Sequence, residues 1–354
     1  MRRTAMFTAW IALAGTAAPP APYPVVAPGI ILRFPADHGA HPQFRTEWWY
    51  VTGWLRTAEG KDLGFQVTFF RTRPGVDEHN PSRFAARQVL FAHAALSDPA
   101  TGRLWHDQRA ARQGFGLAGA RTGDADVTIR DWRLQRAANG QWRARVAADG
   151  FALTLDLQQT QSPLRQGQAG YSRKGPLPQQ ASYYYSIPHL RVSGHVQRGG
   201  KTVAVTGEAW LDREWSSNYL APAAQGWYLT GLNFDDGSAL MAFRIRRKDG
   251  GTFWAGGALR RADGTTTVLG PRDVTFSTVG TWRSKATGIV YPVIQDVSVS
   301  ISSRITHWRL TPMFVAQELD ARRGGLPVYW EGAVRTDGGR GYLELTGYDH
   351  PLVM

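Results

Sequence analysis

The sequence predicts an all-β protein: two tandem antiparallel β-barrels packed together, with little helix. Three observations carry this. Short alternating or β-branched runs recur along the chain between Gly, Asp, Asn and Pro turns. No window sustains a 3.6-residue apolar period. One short motif is written twice, with the same kind of turn and strand after each copy. At 354 residues the chain also exceeds what one core usually holds, about 250–300 residues.

The elements follow in order. Residues 1–18 read as a signal peptide: Arg2 and Arg3, an apolar stretch over 5–14, then small residues. That stretch is too short to span a bilayer. A Pro-rich spacer occupies 19–29, so the mature protein is expected to be periplasmic or secreted. The first barrel is expected over 30–222 and the second over 223–354. Strands are predicted at 62–73, 125–136, 151–160, 201–211, 239–247 and 342–348, with turns at 138–141, 235–238 and 262–265. Helix is expected only in short pieces near 82–88 and 315–321.

The repeat sets the duplication. Trp49-Tyr50-Val51-Thr52-Gly53 matches Trp227-Tyr228-Leu229-Thr230-Gly231 at an offset of 178. The next strand matches at 177, Leu63 to Leu240, which implies a second hairpin one residue shorter. The segments AVTG (204–207) and ELTG (344–347) read as the closing strands of each copy.

Composition narrows the chemistry. The net charge is +13, yet arginines are scattered singly among aromatics and glycines rather than gathered in runs. Nucleic-acid binding is therefore not expected, while peripheral contact with an anionic membrane surface stays open. With no cysteine there is no disulfide, no thiolate chemistry and no lipobox anchor. The nine histidines form no metal signature: His38 and His41 share a loop with only Asp37 beside them. No GxSxG elbow surrounds Ser216 or Ser217, and no glycine-rich turn reads as a phosphate loop.

Three stretches carry chemistry. In TEWWYVTGWL (46–55), strand alternation puts Glu47, Trp49 and Val51 on one face and Trp48, Tyr50 and Trp54 on the other. Glu47 is either the wet end of a core strand or a carboxylate desolvated by indoles, with a raised pKa. In GEAWLDREWSSNYL (207–220), Trp210, Asp212 and Glu214 share a face, with Leu211, Arg213 and Trp215 opposite. Two acids so placed repel, which suits one of them to general-acid work; alternatively an arginine such as Arg213 pairs with them. In ASYYYSIPHLRVSG (181–194), Tyr183 and Tyr185 share a face and Tyr184 points away. His189 is a ligand, a base or a satisfied structural histidine.

Together FPADHGAHPQFRTEWWYVTGWL, YYYSIPHLRVSG, GEAWLDREWSS, GWYLTGLNFDDGS and YWEGAV…GRGYLELTGY resemble a known family, from about Ile31 to the C-terminus. It is the lipocalin-like family of AttH-like predicted secreted hydrolases and carotenoid 1,2-hydratases. The resemblance implies two lipocalin-like barrels with an apolar ligand, lipid, isoprenoid or polyene, held where they meet. It implies acid-catalysed hydration or hydrolysis without a cofactor or metal. Asp212 would be the proton donor, with Glu214 and Glu47 beside it. Trp48, Tyr50, Tyr184, Tyr185, Trp210, Trp215 and Trp227 would line the ligand. It also implies an accessory role beside an export-type ABC transporter permease, and a non-catalytic lipid carrier is the competing expectation.

Overall fold

The computed structural model of the chain describes residues 23–75, 78–322 and 327–352. The expected signal peptide and the start of the spacer lie outside them. The fold is all-β, built as two large antiparallel sheets. The first runs, edge to edge, through Arg103–Arg112, Val89–Asp98, Asp62–Thr72, Thr46–Thr57, Lys201–Ser216, Ala181–Arg198, Phe151–Gln158, Trp142–Ala148, Trp132–Arg136, Asp126–Ile129 and Ala118–Ala120. The second runs through Thr266–Leu269, Thr252–Arg260, Ala239–Arg247, Ala224–Phe234, Gly339–Leu345, Val328–Thr336, Arg304–Pro312, Val290–Ile301 and Val274–Arg283. Each sheet curls around its own core, and strands from its two ends approach without forming a ladder.

Position by position, the second order repeats the first over its first nine strands, so the duplication is visible in topology. The register differs from the letter match. The turn after Thr46–Thr57 closes through Thr57 N to Lys61 O, and the turn after Ala224–Phe234 through Phe234 N to Ser238 O. Leu55 faces Leu63 and Leu232 faces Leu240. Both relations are offsets of 177, and the two hairpins have the same length. The Trp-Tyr-aliphatic-Thr-Gly match at 178 is therefore one residue out. A one-residue slip exchanges faces. Trp49 accordingly fills the first barrel while Trp227 lies between the barrels, and Tyr50 and Tyr228 do the reverse.

The helical expectations are corrected. Among the described residues the helical element is one 3₁₀ turn, Ala36–His38. Near 82–88 the chain is irregular, with Asn80 Oδ1 and Ser82 Oγ accepting from the amides of Ser82 and Phe84 in local turns. Near 315–321 the chain forms the short strand Glu318–Asp320, paired to Val328–Thr336.

Outer faces of the two sheets pack together through an aromatic cluster that includes Trp48, Tyr50, Tyr184, Trp210, Tyr219, Phe243 and Tyr342. Close approach needs glycine here. A Cβ on Gly231 would lie 2.6 Å from the Tyr342 ring and 2.7 Å from the Trp210 ring. At the rim, the bulge between Ile187 and Leu190 holds His189, whose Nδ1 meets Glu208 at 2.7 Å. Its Nε2 meets the Ser238 carbonyl at 2.9 Å, so His189 ties the barrels together. Burial opposes its charge, but the Glu208 carboxylate and the carbonyl raise its pKa overall.

Candidate active site between the barrels

Ladder register assembles the site. On the first sheet, Tyr50 stands across from Asp212 and Asp212 across from Ser186. One step along, Trp48 stands across from Glu214 and Glu214 from Tyr184. On the second sheet, Glu331 stands directly across from Glu344. These rows face each other. The result is an acid cluster inside an aromatic junction.

Asp212 is 1% exposed and accepts three hydrogen bonds: from Ser186 Oγ at 2.5 Å, Trp210 Nε1 at 2.8 Å and Tyr342 Oη at 2.5 Å. Ser186 is steadied by Gln166 Nε2 at 2.8 Å. Burial raises the Asp212 pKa overall, and its donors offset only part of that. The two donors from opposite barrels, Trp210 and Tyr342, make this carboxylate a link across the junction.

Glu214 has the cluster's cation. Lys174 Nζ, itself buried, stands 2.9 Å from Glu214 Oε1, and Ser182 Oγ donates to the same oxygen. The ammonium lies 4.6 Å from the Tyr184 ring centre, 4.3 Å from Phe243 and 5.4 Å from Tyr219. Burial lowers the Lys174 pKa, and Glu214 opposes that.

Glu331 and Glu344 make no ion pair among the described residues. Tyr50 Oη donates to Glu331 Oε1. Burial, with Glu344 nearby, raises Glu331 well above the usual carboxylate range. Glu344 is pushed up to about 7, chiefly by burial, with Asp212 and Glu214 adding to it. Acids facing one another across a ladder oppose each other's ionisation in a site of low polarity, so both are shifted towards the protonated form. Trp48, Tyr50, Phe70, Tyr219, Trp227 and Leu229 wall the space over Asp212, Glu331 and Glu344, a cavity of about 40 Å³. It has room for water and not for a polyene.

The sequence-predicted residues divide by strand parity. Asp212, Glu214, Trp48, Tyr50, Tyr184, Trp210 and Trp227 do reach the junction. Glu47, Tyr185 and Trp215 do not: each points into the first barrel. Glu47 takes hydrogen bonds from Arg71 and Arg213 and from the His41 amide at 3.0 Å. Burial would raise it, but the two guanidiniums hold it well below the usual range. It is an ionised structural anchor, and Arg213, on the face opposite Asp212, serves Glu47. Tyr185 Oη meets His38 Nδ1 at 2.6 Å. Trp215 stacks on His41 with ring centres 3.8 Å apart.

Sequence reasoning missed Glu331, Glu344, Lys174, Tyr342 and Ser186. Glu331 and Glu344 sat inside the segments YWEGAV and YLELTGY that carried the resemblance, each an acid between apolar residues on a strand.

This duplicated antiparallel β architecture is a lipocalin-like fold. The sequence matches the AttH-like family over residues 25–348, and the chain belongs to that family. An AttH assigned from Nitrosomonas europaea is 53% identical, covering 92% of this chain and 99% of its own, with a TM-score of 0.85. Kievitone hydratase from Nectria haematococca shares the fold at 13% identity and a TM-score of 0.67, covering 93% and 98% of the two chains. CghA, solved with Sch210972, shares it at 14% and a TM-score of 0.52, covering 86% and 89%. No curated relative matches the sequence.

Proposed function

We propose that the chain is an acid catalyst of the hydratase type, acting on an apolar substrate admitted between the barrels. One observation carries this reading: Asp212, Glu331 and Glu344 converge on one aromatic-walled cavity, and among the described residues no cation is paired to any of them. The roles follow from their surroundings. Glu344, at about 7, is matched to proton donation near neutral pH. Asp212 accepts three donors that favour its ionised form against burial, and as a carboxylate it can face a developing positive charge.

In the step proposed, Glu344 gives its proton to one alkene carbon. The adjacent carbon becomes cationic against the π faces of Trp48 and Trp227, with Asp212 as counter-charge. A water oxygen bonds to that carbon, and its released proton returns to the Glu331–Glu344 pair. Atoms and charge balance, and the chemistry needs only side chains and water. Because the cavity is water-sized, a substrate enters only when the facing side chains of the barrels part. Kievitone hydratase, on the same fold, supports a reaction of this general class. The N-terminal sequence supports action outside the cytoplasm, which fractionation of the tagged full chain would test.

A non-catalytic carrier is favoured by one fact, that all of Asp212's neighbours satisfy it as they would a structural carboxylate. Mass spectrometry of material extracted from the purified protein separates the readings. A hydrated species in wild type, replaced by its alkene precursor in Asp212→Asn and Glu344→Gln, supports catalysis. The same unmodified ligand in all three supports the carrier and sinks the catalytic reading.

A further inference from the structure

Away from the junction, at the sheet edge, two loops put apolar side chains into solvent. Phe84 is 70% exposed, Phe115 51% and Leu117 41%. The two rings stack with centres 5.2 Å apart. Arg112 lies over both, 4.3 Å from the Phe115 centre and 5.1 Å from Phe84, and Arg83 lies 5.9 Å from Phe115. The turn is built to project the ring. Phe115 sits between Gly114 and Gly116, all three at positive φ, and Gly114 N to Ala118 O closes the loop at 3.0 Å. A phenylalanine at φ 57° is uncommon and strained, and here no burial offsets the strain.

The chain around this tip carries four arginines: Arg83 and Arg112 against the rings, Arg87, whose guanidinium donates to the Asn80 carbonyl at 2.6 Å, and Arg130, whose backbone N–H donates to the Leu117 carbonyl at 2.7 Å. None of the four makes an ion pair among the described residues. Among the described residues, the acids next to these arginines in the chain are Glu78, taken by Arg73, and Asp131. Apolar rings ringed by unpaired guanidiniums match the boundary between acyl chains and anionic headgroups. A second copy is a poorer match. Three side chains, at about 150–250 Å² for each aromatic, fall short of the roughly 800 Å² per partner of a stable interface.

We infer that the Phe84–Phe115–Leu117 tip docks the protein on an anionic lipid bilayer, with Arg83, Arg87, Arg112 and Arg130 holding the headgroups. This goes beyond the acid-catalyst reading and does not depend on it. The test is co-sedimentation of the full chain with vesicles of phosphatidylcholine, alone or mixed with phosphatidylglycerol. Wild type is expected to pellet with the mixed vesicles and not the neutral ones, and to be released by salt. Arg83→Gln with Arg112→Gln is expected to lower partitioning about ten- to thirty-fold, at roughly five-fold per arginine. Phe84→Ser with Phe115→Asn is expected to abolish it while melting no lower than wild type, since asparagine tolerates the left-handed backbone. Equal pelleting with neutral vesicles, full partitioning by the aromatic variant, lipid-independent self-association, or binding to homopolymer RNA in place of vesicles would each overturn the inference.

Discussion

Replacing Glu344 with Gln should stabilise the protein, but only at neutral and alkaline pH. Glu344 has its carboxyl raised from 4.5 to about 7 in the folded state. Burial does most of this, because the strand Gly339–Leu345 carries the side chain into the junction, across from Glu331. A folded pKa above the unfolded one means that the native state prefers the protonated acid. Stability is therefore full below pH 4.5, falls as pH rises to about 7, and is lost to a constant extent above that. At about 1.4 kcal/mol per pK unit the loss comes to roughly 3 kcal/mol. Glutamine is neutral throughout and escapes it. Urea unfolding of both proteins at pH 4 and pH 8 should show near-equal stability at the lower pH. At the higher pH Glu344→Gln should be more stable by up to about 3 kcal/mol, with unchanged m. A difference of the same size at both values, or a less stable variant at pH 8, refutes the claim that Glu344 is a desolvated acid. If Glu344 is also the proton donor, the stabilised variant is inactive, the usual exchange at a strained catalytic site.

The remaining predictions concern charges that the site keeps or excludes. Lys174→Met should cost about 3–5 kcal/mol in chemical denaturation by leaving Glu214 buried without its cation, and Lys174→Met with Glu214→Leu should recover most of it. Glu47→Gln should cost a similar amount at neutral pH, since Arg71 and Arg213 lose their carboxylate. Glu47 has a depressed pKa, so its contribution is present above pH 4.5 and lost as pH falls; the gap between wild type and variant should narrow in acid. Turnover of any alkene substrate found should decline above about pH 7 as Glu344 loses its proton, and a flat profile from pH 6 to 9 removes it as the donor.

Strand alternation made much of this legible. Reading period two through TEWWYVTGWL and GEAWLDREWSS separated Trp48, Tyr50, Trp210, Asp212 and Glu214 from Trp49, Leu211 and Arg213, and the folded chain keeps that division. Glu47, Tyr185 and Trp215 were grouped with the site through the family resemblance. Adjacent strand positions point to opposite sides, and strand parity already set these three apart from Trp48, Tyr184 and Glu214. Glu331 and Glu344 were illegible for another reason. What makes them a pair is the register between Val328–Thr336 and Gly339–Leu345, and what makes them acids of interest is the other barrel lying over them. Neither is a property of a local window. Lys174 lies just past the three-residue strand Tyr171–Arg173, and only the long-range fold returns it to Glu214.

The duplication explains how two acids come to meet. Lys201–Ser216 pairs with Thr46–Thr57, and Gly339–Leu345 pairs with Ala224–Phe234, so Asp212 and Glu344 stand on equivalent strands of the two copies. They are not equivalent residues. At the structural offset of 177, Tyr50 corresponds to Trp227, which is bonded to Thr346, so Thr346 answers to Asp212. Thr52, across from Trp210, corresponds to Leu229, across from Glu344, so Trp210 answers to Glu344. Each copy thus has an acid where the other has a threonine or an indole, one pleat apart along the same kind of strand. Two acids at matching rows would leave two matching neutral rows. The staggered arrangement instead interleaves carboxylates with the Trp210 and Tyr342 donors, so that Asp212 is bonded by a group from each barrel while Glu344 stays open to the cavity.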